Sequence, residues 1–162
     1  MSKKEDSVPI SFPPSRILVP IDGSMNAKRA LSTGILLSKT YHAELLVITV
    51  IPTPSALLAA PAGLGVTPMG VSSYYDQQES YAEHFVGEAM DLAKKQGAFK
   101  IRTEVGRAAK SIVEEILDIA TREKIDLIVI GTRGLGGFRK LLQGSVSSGV
   151  MTHAHCNVLV VR

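Results

Sequence analysis

The chain reads as an open α/β sandwich, one parallel sheet with helices on both faces. Three observations predict it. Apolar, β-branched runs at Arg16 to Ile21, Glu44 to Val50 and Asp126 to Ile130 are continuous rather than alternating, as in strands covered on both sides. Stretches of helical period lie between the runs, so strand and helix alternate along the chain. The 162 residues, 45% of them hydrophobic, are enough for one domain with a sizeable core and leave no room for a second.

Taken in order, Met1 to Pro14 combine Lys3 and Lys4 with Glu5, Asp6 and prolines, and read as a flexible tail ahead of a domain spanning 15–162. The first strand follows from Arg16 to Ile21, and Asp22-Gly23-Ser24 has turn and helix-cap chemistry. Ala27, Ala30, Leu31, Gly34, Ile35 and Ser38 recur at helical spacing, which predicts a helix over Asn26 to Tyr41 on a sheet face. Glu44 to Val50 is the second strand. From Ile51 to Ser73 there are four prolines, three glycines and no sustained period, so a long loop at 51–73 is expected. Its apolar stretch Ala56-Leu57-Leu58-Ala59-Ala60, with Leu64, Val66 and Met69, suits a flap over a ligand, a subunit contact or a plain insert. Helical pattern resumes near Tyr74 and runs to Gln96, with Gly97 as its stop. Lys100 to Val105 is the third strand, Ala109 to Glu123 the next helix and Asp126 to Ile130 the fourth strand. Ser145 to about His153 is the last helix and Asn157 to Val161 the last strand.

Several function classes are set aside by composition. The net charge of +3 comes from dispersed Lys and Arg with few aromatics, which does not make a nucleic-acid surface. No run approaches the roughly 18 apolar residues of a membrane span. One cysteine, Cys156, rules out an internal disulfide framework and fits a reducing compartment, by default the cytoplasm. His153, His155 and Cys156 crowd together but lack the distant partner pair of a zinc site. Gly106-Arg107-Ala108-Ala109-Lys110-Ser111 has Ala109 where a Walker A loop needs its second glycine. Gly134-Leu135-Gly136-Gly137-Phe138-Arg139 lacks the last glycine of the dinucleotide fingerprint.

The most informative stretch begins at Ile128-Val129-Ile130-Gly131-Thr132-Arg133-Gly134 and reaches Gly144-Ser145-Val146-Ser147 nine residues later. A strand ends on glycines, a basic loop follows, and a Gly-Ser step opens a helix. Glycine at Gly131 and Gly134 permits positive φ and close approach of backbone to a phosphate. Backbone N–H groups at a helix start by Gly144 and Ser145 face an anion with the positive end of the dipole behind them. Ser145 and Ser147 add hydroxyls, Arg133 adds charge, and Arg139 and Lys140 raise the local potential. The bland alternative is a surface turn followed by a capped helix.

The spacing Gly131-x2-Gly134-x9-Gly144-Ser145 resembles the nucleotide-binding signature of the universal stress protein family, in its ATP-binding branch. The similarity runs from Arg16 to Arg162. Ile17-Leu18-Val19-Pro20-Ile21-Asp22-Gly23-Ser24 is similar to the family's opening strand and acidic turn, and His155-Cys156-Asn157-Val158-Leu159-Val160-Val161 to its closing strand. Asn157 departs from a common proline. The resemblance implies an adenine nucleotide alpha hydrolase-like fold with five parallel strands in the order 3-2-1-4-5. That order sets strands 1 and 4 side by side where the winding reverses, so the Asp22 turn and the Gly131 loop converge on a ligand. It further implies that Pro20, Ile21, Val50 and Ile130, which by composition are core residues, grip adenine and ribose. Gly131, Arg133, Gly134, Gly144, Ser145, Val146 and Ser147 would hold phosphates. Asp22 would accept from a ribose hydroxyl or help to hold Mg²⁺, its alternative being the cap of the next helix. The expectation is a cytoplasmic, ATP-binding regulatory protein of the stress response that binds ATP and Mg²⁺ without rapid turnover, since no catalytic base stands out. Its rivals are a slow Mg²⁺-dependent ATPase or an enzyme that phosphorylates itself on Ser145 or Ser147, and a nucleotide-free interaction module. A homodimer through the edge strand Val158 to Val161 is implied as well.

Overall fold

A computed structural model of the chain describes residues 12–54, 68–132 and 145–162, with the backbone alone described for 68–71. Five parallel strands, β1 (Arg16–Pro20), β2 (Glu44–Ile51), β3 (Lys100–Arg107), β4 (Leu127–Gly131) and β5 (Asn157–Val161), lie in the order β3-β2-β1-β4-β5. Helices α1 (Met25–Tyr41), α2 (Pro68–Gln96), α3 (Ile112–Arg122) and α4 (Ser145–His153) connect or flank them. The strand order is the one that the resemblance implies.

The period of two in each strand divides the core into two layers. Ile17, Val19, Leu45, Val47 and Val129 face α1 and α2, where Ala30, Leu31, Ile35, Val86, Ala89 and Ala93 meet them. Leu18, Leu46, Ile48, Ile128 and Ile130 face α3 and α4, against Ile116, Ile119 and Val150. Ile17, Leu18, Leu45, Ile48 and Ile128 are wholly buried, and each such side chain contributes about 2 kcal/mol. The unbroken apolar runs in the sequence arise because both faces are covered.

Local signals set the helix ends. Ser24 caps α1 by accepting from the Ala27 N–H at 3.1 Å, and the helix stops at His42, which takes the left-handed conformation (φ 54). Ser38 is buried but satisfied, donating to the Ala43 carbonyl at 2.7 Å and accepting from the Phe99 N–H at 3.2 Å. It ties the end of α1 to the starts of β2 and β3. Ser111 caps α3, with Glu114 and Glu115 in the first turn and Arg122 in the last, charges that complement the helix dipole.

Three boundaries differ from the sequence reading by two residues or more, the first being α3, which begins at Ile112 and not at Ala109 because Ser111 in extended conformation caps it. α2 begins at Pro68 instead of near Tyr74, because proline at a first helical turn forfeits no intrahelical hydrogen bond. The long loop expected to run to Ser73 therefore ends sooner, and 55–67 lie outside the described residues. β3 extends to Arg107, two residues past the expected Val105, and pairs with β2 through Ile51↔Arg107. Of the expected tail, 1–11 lie outside the described residues, while the Phe12 ring meets Tyr41 edge-on at 5.4 Å and Pro14 is buried.

The junction of β1 with β4 positions the site. β2 and β3 are in register at eight positions, but β1 and β4 only at Ile17↔Leu127 and Leu18↔Ile128. Below these the seam is closed by Asp126, whose Oδ2 accepts from the N–H groups of Ser15 (2.8 Å) and Arg16 (2.9 Å). Above them Pro20 has no N–H to continue a ladder, and the strands part.

Candidate functional site

A cleft of ≈ 120 Å³ opens where β1 and β4 separate, at the carboxyl ends of the strands. Pro20, Ile21, Val50 and Ile130 give it apolar walls, and Asp22, Ser24, Gly131 and Ser147 supply polar edges. This is the switch point of a doubly wound sheet, where open α/β folds take ligands.

The acidic edge is built by the turn after β1. Asp22 Oδ1 accepts from the Ser24 N–H at 3.0 Å, and Ser24 Oγ accepts from the Ala27 N–H at 3.1 Å, so two side-chain bonds brace the turn across Gly23. Asp22 thus serves the turn and lines the cleft at once, while the cap of α1 is Ser24.

The opposite edge is formed by β4 and α4. Gly131 lines the cleft but remains in extended strand conformation, contrary to the expected positive φ; that conformation belongs to Gly23 (φ +81). Gly131 meets a different demand. A methyl group there would lie 2.7 Å from the Asn26 carbonyl carbon and 2.8 Å from its oxygen, so the absent side chain lets α1 approach β4. Thr132 then turns away, its N–H donating to the Val161 carbonyl at 2.8 Å.

α4 starts at Ser145, with Val146 and Ser147 lining the cleft. Its first turn carries no acidic residue, so the positive end of the helix dipole is not offset from within the turn. Ser147 is buried, and its hydroxyl donates to the Thr132 carbonyl at 3.2 Å. That bond fixes the start of α4 against the end of β4, a role the sequence did not signal for this hydroxyl. Ser145 is exposed and does not line the cleft. Arg133, Gly134, Arg139, Lys140 and Gly144 lie outside the described residues.

Four lining residues escaped the sequence reading: Ser24, Ala27, Ile112 and Ile116. Ser24 was recognisable as cap chemistry, whereas Ile112 and Ile116 repeat at i, i+4 on an amphipathic helix and read simply as core. Among the described residues, no group of three His, Cys, Asp or Glu is gathered to hold a metal ion. His153 Nδ1 lies 2.9 Å from the Gly149 carbonyl oxygen. Burial, and then the charge of Asp126, push the Cys156 thiol above its ordinary pKa. It precedes β5 and so lies at the end of the sheet remote from the cleft. No helix among the described residues is long and apolar enough to cross a membrane.

This arrangement has counterparts in known proteins. The sequence model of the universal stress protein family matches residues 14–162. A universal stress protein of Synechocystis is 31% identical over 153 residues, covering 91% of this chain and 97% of its own. The solved structure of UspA from Lactobacillus plantarum superimposes with a TM-score of 0.76 at 26% identity, over 91% of this chain and 97% of that one. An Arabidopsis thaliana family structure with AMP bound shares the fold, with a TM-score of 0.63 at 18% identity and 91% of each chain covered. The chain belongs to the universal stress protein family.

Proposed function

We propose that the cleft binds an adenine nucleotide, ATP with Mg²⁺, and that the protein acts as a nucleotide-responsive regulator under stress instead of turning ATP over rapidly. One observation carries this reading: the Asp22–Ser24 turn and the amino end of α4 face each other across an apolar slot. A flat base fits between Pro20, Ile21, Val50 and Ile130, where burial of its faces is favourable and main-chain groups can bond its edge. Asp22 is suited to accept from ribose hydroxyls. The first-turn N–H groups at Ser145, Val146 and Ser147 are suited to phosphate oxygens. Arg133, Gly134 and Gly144, outside the described residues, would complete that cradle. The AMP carried by the Arabidopsis structure supports the adenine nucleotide.

Mg²⁺ would meet a single protein carboxylate, Asp22, the one Asp or Glu that lines the cleft among the described residues. That donor set suits an ion held mostly by phosphate and water, since Mg²⁺ keeps several waters and needs only one or two carboxylates. When bound, the ion would neutralise phosphate charge. Among the described residues the cleft lining offers no histidine and no second carboxylate to activate water, which supports binding over hydrolysis. A homodimer belongs to the same reading: β5 is an edge strand whose Leu159 is 39% exposed, an apolar edge that pairing would cover.

Titration calorimetry with ATP, AMP and cyclic AMP, with and without Mg²⁺, tests the proposal. Saturable binding, weakened about tenfold or more in Asp22→Ala, is expected. Absence of binding by all three nucleotides overturns it. Steady turnover of labelled ATP near about one per second, abolished in Asp22→Ala, would replace it with an ATPase. Sizing at micromolar concentration should give a dimer that Leu159→Lys dissociates; a monomeric wild type removes that part.

A further inference from the structure

Behind the turn that lines the cleft lies a second recess, a groove of ≈ 220 Å³ between α1 and α2, bordered by Gly23, Leu31, Phe85 and Leu92. Ile21 and Ala27 line both spaces. Residues 21 to 27 are therefore one thin wall with the cleft on one side and the groove on the other.

Phe85 bears on that wall. A methyl group added to Gly23 would lie 2.8 Å from Phe85 Cζ and 2.9 Å from Cε1, so the ring edge is packed onto the glycine backbone. The side-chain bonds Asp22 Oδ1 to Ser24 N–H and Ser24 Oγ to Ala27 N–H span this glycine. A displacement of Gly23 consequently carries Asp22 and Ser24 with it. Phe85 itself is not free to retreat. Ala82, Val86 and Ala89 seat its stretch of α2 in the core. One turn and more toward the amino end, Arg107 pairs with Glu79 and lies 5.1 Å from the Tyr75 ring centroid, while the Tyr74 hydroxyl donates to the Pro52 carbonyl at 3.1 Å.

We propose that Phe85 is a positioning residue for the cleft: by bearing on Gly23 it sets how far Asp22 and Ser24 reach into it, so the seating of α2 tunes nucleotide affinity. This rests on the nucleotide-binding reading and adds to it a route of regulation. Anything that shifts α2 along β2 and β3 alters the cleft without touching the ligand.

A double-mutant cycle on the full chain tests it, with MgATP affinity measured by calorimetry and folding by circular dichroism and thermal melting. Phe85→Ala is expected to weaken MgATP binding about tenfold, the low end of the loss that follows removal of a group orienting a ligand-binding residue. In an Asp22→Ala background the same substitution is expected to change affinity by less than about twofold, because the loss runs through the carboxylate. A general packing defect would instead lower affinity equally in both backgrounds. Phe85→Leu keeps apolar bulk in the groove, is expected to give an intermediate loss, and decides the matter if Phe85→Ala does not fold. Equal losses in both backgrounds, or wild-type affinity in Phe85→Ala and Phe85→Leu, overturn the proposal while the nucleotide-binding reading stands. A wild type that binds no adenine nucleotide overturns both.

Discussion

Gly23 and Gly131 flank the same cleft, yet different physical demands select them. Gly23 needs the left-handed backbone (φ +81), and its missing side chain makes room for a phenyl ring. Gly131 is an ordinary strand residue whose missing side chain makes room for the backbone of Asn26. Main chain at the start of a helix yields little. Gly131→Ala is therefore expected to cost about 1–3 kcal/mol, the range for overpacking a tight contact, and to spread the cleft enough to weaken nucleotide binding. Urea denaturation and calorimetry check both, and an unchanged denaturation midpoint would contradict the contact. The sequence singled out Gly131 through the spacing of its motif and expected a positive φ there, which the extended strand replaces, while close approach to a phosphate belongs to the proposed function. Motif spacing records that a side chain is forbidden, not which neighbour forbids it, and the neighbour here is more than a hundred residues away. Ile112 and Ile116 were hidden for the complementary reason, since an isoleucine under a ligand and one under a strand have the same period.

Among the elements, α1 is started by Ser24, which also lines the cleft. Ser24→Ala should lower stability by about 1 kcal/mol, the usual cost of an N-cap, and weaken nucleotide binding as well. Thermal melts and calorimetry on one preparation would show both losses, and a stability loss alone would remove Ser24 from the site. At the far edge of the sheet, Arg102 on β3 bridges Glu44 of β2 and Glu123 after α3, the latter at 2.7 Å. The Arg102 hydrogen bond, foremost, holds the carboxyls of both Glu44 and Glu123 below the ordinary glutamate range. A depressed folded-state pKa means that their stabilisation is present at neutral pH and is lost as pH falls through the folded value. Glu115 has the opposite sign. Burial raises its pKa, so its contribution is present in acid and is lost as pH rises through the raised value. Glu44→Gln is expected to cost at most about 1 kcal/mol at neutral pH, because Arg102 is partly solvated, and to reduce the loss of stability on acidification. Urea melts at neutral and acid pH measure it; equal acid sensitivity in both proteins would contradict the assignment. Helix ends were legible from residues such as Ser24 and Gly97, whereas the cap at Ser111 was passed over because Ala109 and Lys110 before it are good helix formers. The start of α2 was not, because Pro68 stands in a proline- and glycine-rich stretch where a helix-starting proline and a loop proline look alike.

For the molecule as a whole, a ligand that binds only the folded state stabilises it by mass action. At one hundred times its Kd that amounts to about 2.7 kcal/mol, which for a domain of this size raises Tm by about 5–10 °C. Melting with MgATP should show the shift, and chelating the metal should reduce it; no shift at saturating nucleotide would count against the cleft as the site. Alternation of strand and helix was legible from end to end, since fully covered strands leave unbroken apolar runs. Strand order was not, because Ile17 to Val19 pack equally well beside either neighbour, and only likeness to a known family supplied it. The parting of β1 from β4 above two registered pairs has a wider consequence. The sheet resembles a zip fastened at its foot by Asp126, with β3-β2-β1 on one side and β4-β5 on the other. The proposed nucleotide, lodged between the open teeth, would touch both halves at once, β1 and β2 through Pro20 and Val50 and β4 through Ile130, and would so draw the two sides of the sheet together.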